Sequence, residues 1–176
     1  MGAPVLDTDD TARQLLLDPV LLATVRTRFP ECAAPGEALN RRLLRQTIAT
    51  DHAARRWLEQ LLHPRIWHVV DSWLAAQNTA YAIVSVPLLL ESGWAPRFDT
   101  VVMIRASDPV RLQRIRQRDG LSLVHAEQLL AAQSPNSAVR AIADIILDND
   151  SSPQALQQLI READSKLRTP FPLPAQ

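Results

Sequence analysis

Short apolar runs, each closed by a charged residue or a proline, alternate along this chain with long stretches of helical spacing. The runs fall at residues 3–6, 81–86, 100–104 and 144–147. Continuous apolar runs of this length, rich in Val and Ile, predict strands of a parallel sheet covered on both faces. Helical spacing is read at 10–17, 18–28, 37–50, 51–63, 64–77, 108–118, 122–133, 135–143 and 153–167. Thr8 and Asp9 are the expected caps of the first helix, Asp18-Pro19 restarts a helix, and Asp51 and Ser122 cap later ones. His63-Pro64 reads as a break, with Pro64 in the first turn of a new helix. Strands that alternate with long helices indicate an α/β fold with a parallel sheet. Ligands of such sheets bind beyond the carboxyl ends of the strands. That rule singles out Asp7 and Asp9, Glu91, Arg105, and Asp148 with Asn149.

The chain has 176 residues, 47% of them apolar, which suits one domain with a sizeable core. Its formal net charge is zero, which argues against a nucleic-acid partner. Eighteen of the 19 basic residues are Arg, and the single Lys is Lys166. One cysteine, Cys32, excludes an internal disulfide and a cysteine-rich zinc site, and fits a reducing cytoplasm. The acidic N-terminus has no secretory apolar region. The longest apolar run, 82–90, contains Ser85 and Pro87 and is too short to span a membrane.

Five blocks carry more specific information. Gly2-Ala3-Pro4-Val5-Leu6-Asp7-Thr8-Asp9 is followed by Ala12-Arg13-Gln14. Residues 57–64 read WLEQLLHP, and 86–91 read VPLLLE before Ser92-Gly93. Arg118-Asp119-Gly120 precedes 125–133, and Ala143-Asp144 precedes Asp148-Asn149. In this order and spacing they resemble dephospho-CoA kinase, a P-loop kinase of the adenylate-kinase-like group. Each block alone is unspecific, and the resemblance rests on the ordered set from residue 2 to about residue 165.

The resemblance implies a three-layer P-loop kinase fold in one domain over 1–168. A helical acceptor-binding region would lie at about 18–78, a lid at about 107–143, and a Pro-rich tail at 169–176. It also implies transfer of the γ-phosphoryl group of ATP, with Mg²⁺, to the 3′-hydroxyl of the ribose in dephospho-CoA. Members of that family open with a strand, a Gly-rich loop ending in Gly-Lys-Ser/Thr, and a helix. Here the four glycines, Gly2, Gly36, Gly93 and Gly120, form no Gly-x-x-x-x-Gly-Lys arrangement, and Lys166 lies far along the chain. Such a loop cradles phosphates with backbone N–H groups and neutralises them with its Lys. The expectation is therefore that the central first strand is missing, that strand edges stay open or the remaining strands pair directly, and that these 176 residues alone have no kinase activity. A gene start placed too late is one account. A pseudokinase that binds dephospho-CoA without catalysis is another, and a helical interaction module is a third.

By resemblance, Asp9 is the catalytic base, and its other reading is a plain helix cap. Asp7 holds water or Mg²⁺, or is structural. Arg13 lies on the face of Asp9 at i, i+4, and either binds a substrate phosphate, pins Asp9 or makes a surface ion pair. His63 matches the histidine near the acceptor, with a helix-end cap as its other reading. Glu91 binds acceptor groups or a metal-bound water, or is simply solvated after a strand. Arg118 is the chosen ligand of the ATP phosphates, while Arg111, Arg114 and Arg116 read as a solvated face. The family's second basic residue falls at Val139, so its neighbour Arg140 would serve only after a turn of about 100° around the helix. Asn149 matches the turn that meets adenine, with an Asx turn as the alternative. Trp57, Trp67, Trp73 and Trp94 read as packing.

Overall fold

The computed structural model describes residues 2–32, 38–131, 138 and 140–169. These group into two compact units, Gly2–Pro87 and Leu88 onward. The expected Pro-rich tail from residue 170, and residues 135–137 and 139 of the helix expected at 135–143, lie outside the described residues.

The first unit begins with strand β1 (Val5–Asp7) and runs directly into helix α1 (Thr8–Leu15). The cap of α1 is Asp7 rather than Thr8 or Asp9, because Asp7 has extended backbone and its carboxylate faces the first free amides. Helix α2 (Pro19–Arg28) starts as expected, with Asp18 Oδ1 accepting from the amides of Val20 at 3.0 Å and Leu21 at 2.8 Å. A 3₁₀ turn at Pro30–Cys32 precedes α3 (Arg41–Thr50), which Asn40 caps. Of the apolar residues Leu43, Leu44 and Ile48 on α3, only Leu44 is buried.

The largest departure from the sequence reading is α4. It is one helix of 24 residues, His52–Ala75, and passes through His63-Pro64 without a break. Asp51 caps it through the amides of Ala53 and Ala54 at 2.7 and 3.0 Å. Pro64 is exposed and has no N–H for the carbonyl one turn earlier. The next carbonyl, of Leu61, accepts from Arg65 Nη1 at 2.6 Å. Apolar residues on both sides of the proline, Leu58, Leu62, Ile66 and Val70, are buried in one continuous stripe. Burial of that stripe holds the helix together where local propensity would end it.

α1 and α3 both pack on α4. Beneath them, Phe29 is buried edge-on to Trp57, with ring centroids 5.4 Å apart and planes at 81°. β2 (Ile83–Ser85) closes the unit by pairing with β1 in parallel, Val5 to Ile83, Leu6 to Val84 and Asp7 to Ser85.

The second unit holds the short helix α5 (Leu89–Ser92), a 3₁₀ turn at Ala95–Arg97, strand β3 (Val102–Arg105), helices α6 (Asp108–Asp119) and α7 (Leu123–Ala131), strand β4 (Ile145–Asp148) and helix α8 (Pro153–Leu167). β3 and β4 pair in parallel from Val102–Ile145 to Arg105–Asp148. Asp144 Oδ2 accepts from the Val101 amide at 2.7 Å at the start of this ladder. α8 packs on β4, and α6 on α7. Gly120, at φ +64°, ends α6 in the left-handed conformation that a side chain would strain.

Each unit thus holds one two-stranded parallel sheet, β1 with β2 in the first and β3 with β4 in the second. Coverage on both faces is not found. Val5 is 60% exposed and Ile104 59% exposed. A two-stranded sheet has an open edge on each side and cannot bury both of its faces well.

Two outcomes follow from the packing. Phe29→Ala should lower unfolding stability by about 3–5 kcal/mol, read from urea midpoints, because it empties a buried ring site beside Trp57. Pro64→Ala should raise unfolding stability by up to about 3 kcal/mol, read from the same midpoints, since alanine restores the missing amide on an exposed face. An unchanged midpoint would show that the missing amide costs the helix nothing, and a lower one that the fold needs the proline at this place.

Candidate active site

The sequence-derived site residues fall into two groups, one in each unit. Asp7, Asp9 and Arg13 stand on the β1–α1 junction and α1, and His63 stands on α4, against which α1 packs. The strand ends at Asp7, so its side chain emerges at the carboxyl end of β1. Asp7 Oδ1 accepts from the amides of Asp9 at 2.8 Å and Asp10 at 3.0 Å. Its Oδ2 accepts from the Ser85 hydroxyl at 3.1 Å. The Asp10 amide holds the Asp7 carboxyl below the usual carboxylate range against the opposing effect of burial, and the Ser85 hydroxyl and Asp9 amide add to the lowering. Both oxygens are thus engaged by the protein, which favours the structural reading of Asp7 over a metal-holding one.

Asp9 is exposed in the first turn of α1, and its carboxylate has no hydrogen-bond partner among the described residues. A carboxylate there is favoured by the positive end of the helix. An exposed, unengaged carboxylate held on a capped first turn is available to accept a proton.

Arg13 does not pin Asp9. Its guanidinium forms an ion pair with Asp10, at i, i+3. Asp10 is the stronger neighbour because its carboxylate directly receives the hydrogen bond, while Asp9 and Asp7 act on Arg13 only through their charge. Sequence spacing could not separate i+3 from i+4 here, since both lie on one helix face. Both side chains of the pair are largely exposed, 42% and 69%, so a phosphate can compete for Arg13.

His63 lies in the middle of α4, not at a helix end, so the capping alternative does not hold. It is half-buried, and burial pushes its imidazole below the ordinary value, against the opposing charge of Glu59 one turn earlier. It is therefore a neutral group at pH 7, suited to hydrogen bonding rather than to charge neutralisation. Cys32, also in this unit, is buried, and burial pushes its thiol up, away from reactivity.

In the second unit, α6 presents its arginines beside the turn after β4. Arg111, Arg114 and Arg118 line one depression together with Ile115 and Gln117. Arg118 grips the Asp119 carboxylate through two nitrogens, each at 2.7 Å, while its own side chain stays 76% exposed. So exposed a pair is weak and exchanges readily for a phosphate. Arg114 is not merely solvated, because its Nη2 donates to Asn149 Oδ1 at 3.4 Å, near the long limit of such bonds. That bond, rather than an Asx turn, is the partner of the Asn149 side chain.

The Asn149 amide continues the β3–β4 ladder to the Arg105 carbonyl at 2.8 Å. Arg105 grips Asp148 across the strands, one of its two contacts being 3.2 Å. The Arg105 hydrogen bond holds Asp148 below the usual carboxylate range, and the charge of Arg140 adds to it. Arg140 is exposed, and Val139 lies outside the described residues. Glu91 is exposed on α5.

Three of these engagements were missed in the sequence: Asp10 with Arg13, Ser85 with Asp7, and Asp119 with Arg118. The first and third are local and could have been found from charge spacing. The second joins positions far apart in the chain and carries no local signal. Among the described residues no group of three or more His, Cys, Asp or Glu is placed to hold a metal ion.

Comparison with known proteins decides the family. The family model for dephospho-CoA kinase matches residues 1–155. The chain belongs to the dephospho-CoA kinase family. It is 35% identical over 160 residues to the dephospho-CoA kinase of Yersinia pseudotuberculosis, covering 90% of this chain and 78% of that one. It is 35% identical over 172 residues to the dephospho-CoA kinase of Xanthomonas campestris pv. campestris, covering 96% and 83%. Among solved structures, TT1252 from Thermus thermophilus superposes with a TM-score of 0.81 at 28% identity, covering 94% of this chain and 85% of that one. Dephospho-CoA kinase from Campylobacter jejuni superposes with a TM-score of 0.68 at 26% identity, covering 95% and 86%. The α/β fold expected of a P-loop kinase is therefore the one observed. No helix among the described residues is long and apolar enough to cross a membrane.

The burial of His63 has a measurable consequence. A histidine whose folded value is lowered favours the fold in its neutral form. That contribution is present above about pH 6.5, the unfolded value, and is lost as pH falls through the lowered one. The ring resonances of His63 should titrate with a midpoint below about 6.5 by NMR. A midpoint at or above that value would remove the neutral-imidazole assignment.

Proposed function

We propose that this chain phosphorylates the ribose 3′-hydroxyl of dephospho-CoA from ATP, giving coenzyme A, with Asp9 as the general base. The observation that carries the residue assignment is the exposed, unengaged Asp9 carboxylate on the capped first turn of α1. In the reaction the ribose hydroxyl oxygen forms a bond to the γ-phosphorus as the bond from that phosphorus to the bridging oxygen of ADP breaks. The hydroxyl proton passes to the Asp9 carboxylate. A positioned base of this kind contributes on the order of 10²–10⁴ in rate.

The other residues bind and orient. Arg13, released from Asp10, meets a phosphate of the acceptor. His63 is a neutral hydrogen-bonding group near it, and Glu91 contacts acceptor polar groups. Arg118 takes ATP phosphate oxygens in place of Asp119, as planar bidentate recognition favours. Arg140 is a second basic residue for the same phosphates, and Asn149 lies at the adenine. Within one domain, residues 18–78 would serve as the acceptor region and 107–143 as the lid. Mg²⁺ belongs to this class of chemistry, where it would neutralise the charge that develops on the transferring phosphoryl group. Among the described residues no group of three or more His, Cys, Asp or Glu is placed to hold it.

The 176 residues contain no Gly-x-x-x-x-Gly-Lys, so the backbone cradle for the phosphates is not among them. That observation favours a second reading, in which these residues bind dephospho-CoA without transferring phosphate.

One pair of measurements separates the readings. Titration of the 176-residue chain with dephospho-CoA in a calorimeter should give saturable heat under both readings, and no heat would leave neither standing. In a form extended at its N-terminus by a strand, a Gly-x-x-x-x-Gly-Lys-Ser/Thr loop and a helix, ATP-dependent turnover should follow, and Asp9→Asn should lower kcat on the order of 10²–10⁴-fold. Wild-type turnover in Asp9→Asn would end the base assignment, and an inert extended form would favour the binding module.

A further inference from the structure

We propose that Ser85 is a positioning residue for Asp9, acting through the Asp7 carboxylate that bridges strand β2 to the first turn of α1. The proposal rests on the reading of Asp9 as a group that meets the acceptor.

Asp7 and Ser85 are register partners at the carboxyl ends of paired parallel strands. Side chains alternate along a strand, so partners at one register position leave the sheet on the same face. The Ser85 hydroxyl and the Asp7 carboxylate are thereby brought together at 3.1 Å, although 78 residues separate them in sequence. The two Asp7 oxygens have divided tasks. Oδ1 accepts from the Asp9 and Asp10 amides, and Oδ2 accepts from Ser85. A carboxylate held at one oxygen can still rotate about its own axis, whereas one held at both cannot. The Ser85 hydroxyl therefore sets the plane of the cap, and the cap sets the peptide from which the Asp9 side chain departs.

A second connection runs the other way. The buried Thr8 donates its hydroxyl to the Ser85 carbonyl at 2.9 Å, and the buried Thr11 donates to the Asp7 carbonyl at 2.9 Å. Ser85 thus touches the first turn of α1 through its side chain and through its backbone, and only the first is lost in Ser85→Ala. An alanine there leaves the Thr8 bond, the Asp7 cap and the β1–β2 ladder in place. The helix should persist while its first turn loosens, which separates positioning from folding.

The test uses the 176-residue chain and two readouts. By NMR, Ser85→Ala should raise the titration midpoint of the Asp7 carboxyl and speed hydrogen exchange at the Asp9 amide by about 2- to 12-fold, the net worth of one hydrogen bond. Ser85→Thr, which keeps the hydroxyl, should restore both, and far-UV circular dichroism should match wild type throughout. By calorimetry with dephospho-CoA, Asp9→Ala and Ser85→Ala should each weaken binding. Added to Asp9→Ala, the Ser85→Ala change should have no further effect, since coupled residues are not additive. Unchanged Asp9 exchange in Ser85→Ala, or an undiminished loss of affinity in the Asp9→Ala background, overturns the positioning role. Wild-type affinity in Asp9→Ala, or no binding by the unmodified chain, instead overturns the reading of Asp9 on which the proposal rests, whatever the exchange data show.

Discussion

The carboxylate of Asp7 joins three parts of the first unit at one point. It ends β1, caps α1 and accepts a hydroxyl from β2. A parallel strand pair and the helix that leaves it could in principle meet at many angles. Here two backbone amides and one serine hydroxyl converge on the two oxygens, and two buried threonines close the same junction. The exposed Asp9 carboxylate, the group read as the base, is carried on the peptide that this junction holds. An acidic residue at a helix start does electrostatic work as well, since the free N–H groups there attract negative charge. Asp7, Asp9 and Asp10 share that benefit, and of the three only Asp9 has no hydrogen-bond partner for its carboxylate among the described residues.

The long helix α4 gives the junction something to rest on. α1 packs on it, and so does α3. The apolar stripe through Leu58, Leu62, Ile66 and Val70 continues across Pro64, so the helix loses one backbone hydrogen bond and keeps its buried face. Burying a Leu or Val side chain contributes about 1.5–3 kcal/mol, comparable with the cost of one interior proline. Several such residues outweigh a single break signal. His63 is carried on this continuous helix, half-buried and neutral, in the same unit as the acidic junction.

The second unit is organised around charge. Arg105 and Asp148 close the end of the β3–β4 ladder, Asp150 accepts from the Ser107 amide at 2.6 Å, and Arg114 reaches Asn149. Ser107 makes no side-chain cap for α6, so the aspartate from the turn after β4 takes over at that helix start. The arginine face of α6 is in this way tied to the turn that follows β4. Of its ion pairs, the one between Arg118 and Asp119 leaves Arg118 76% exposed and is therefore weak.

Most of the architecture was legible in the sequence because its signals are local. The apolar runs, the helix start at Asp18-Pro19, the cap at Asp51, the helix 153–167 and the order of five sequence blocks need no knowledge of what lies far along the chain. They determined the α/β class and the family. The continuity of α4, the choice of Asp10 over Asp9 as the partner of Arg13, the open faces of the strand pairs and the bond from Ser85 to Asp7 were decided only in three dimensions. Each depends on which surface is buried or which atom lies nearest. A proline signals a helix end until a buried stripe overrides it, and a serine at the end of a strand carries no meaning until pairing brings a distant carboxylate to its hydroxyl.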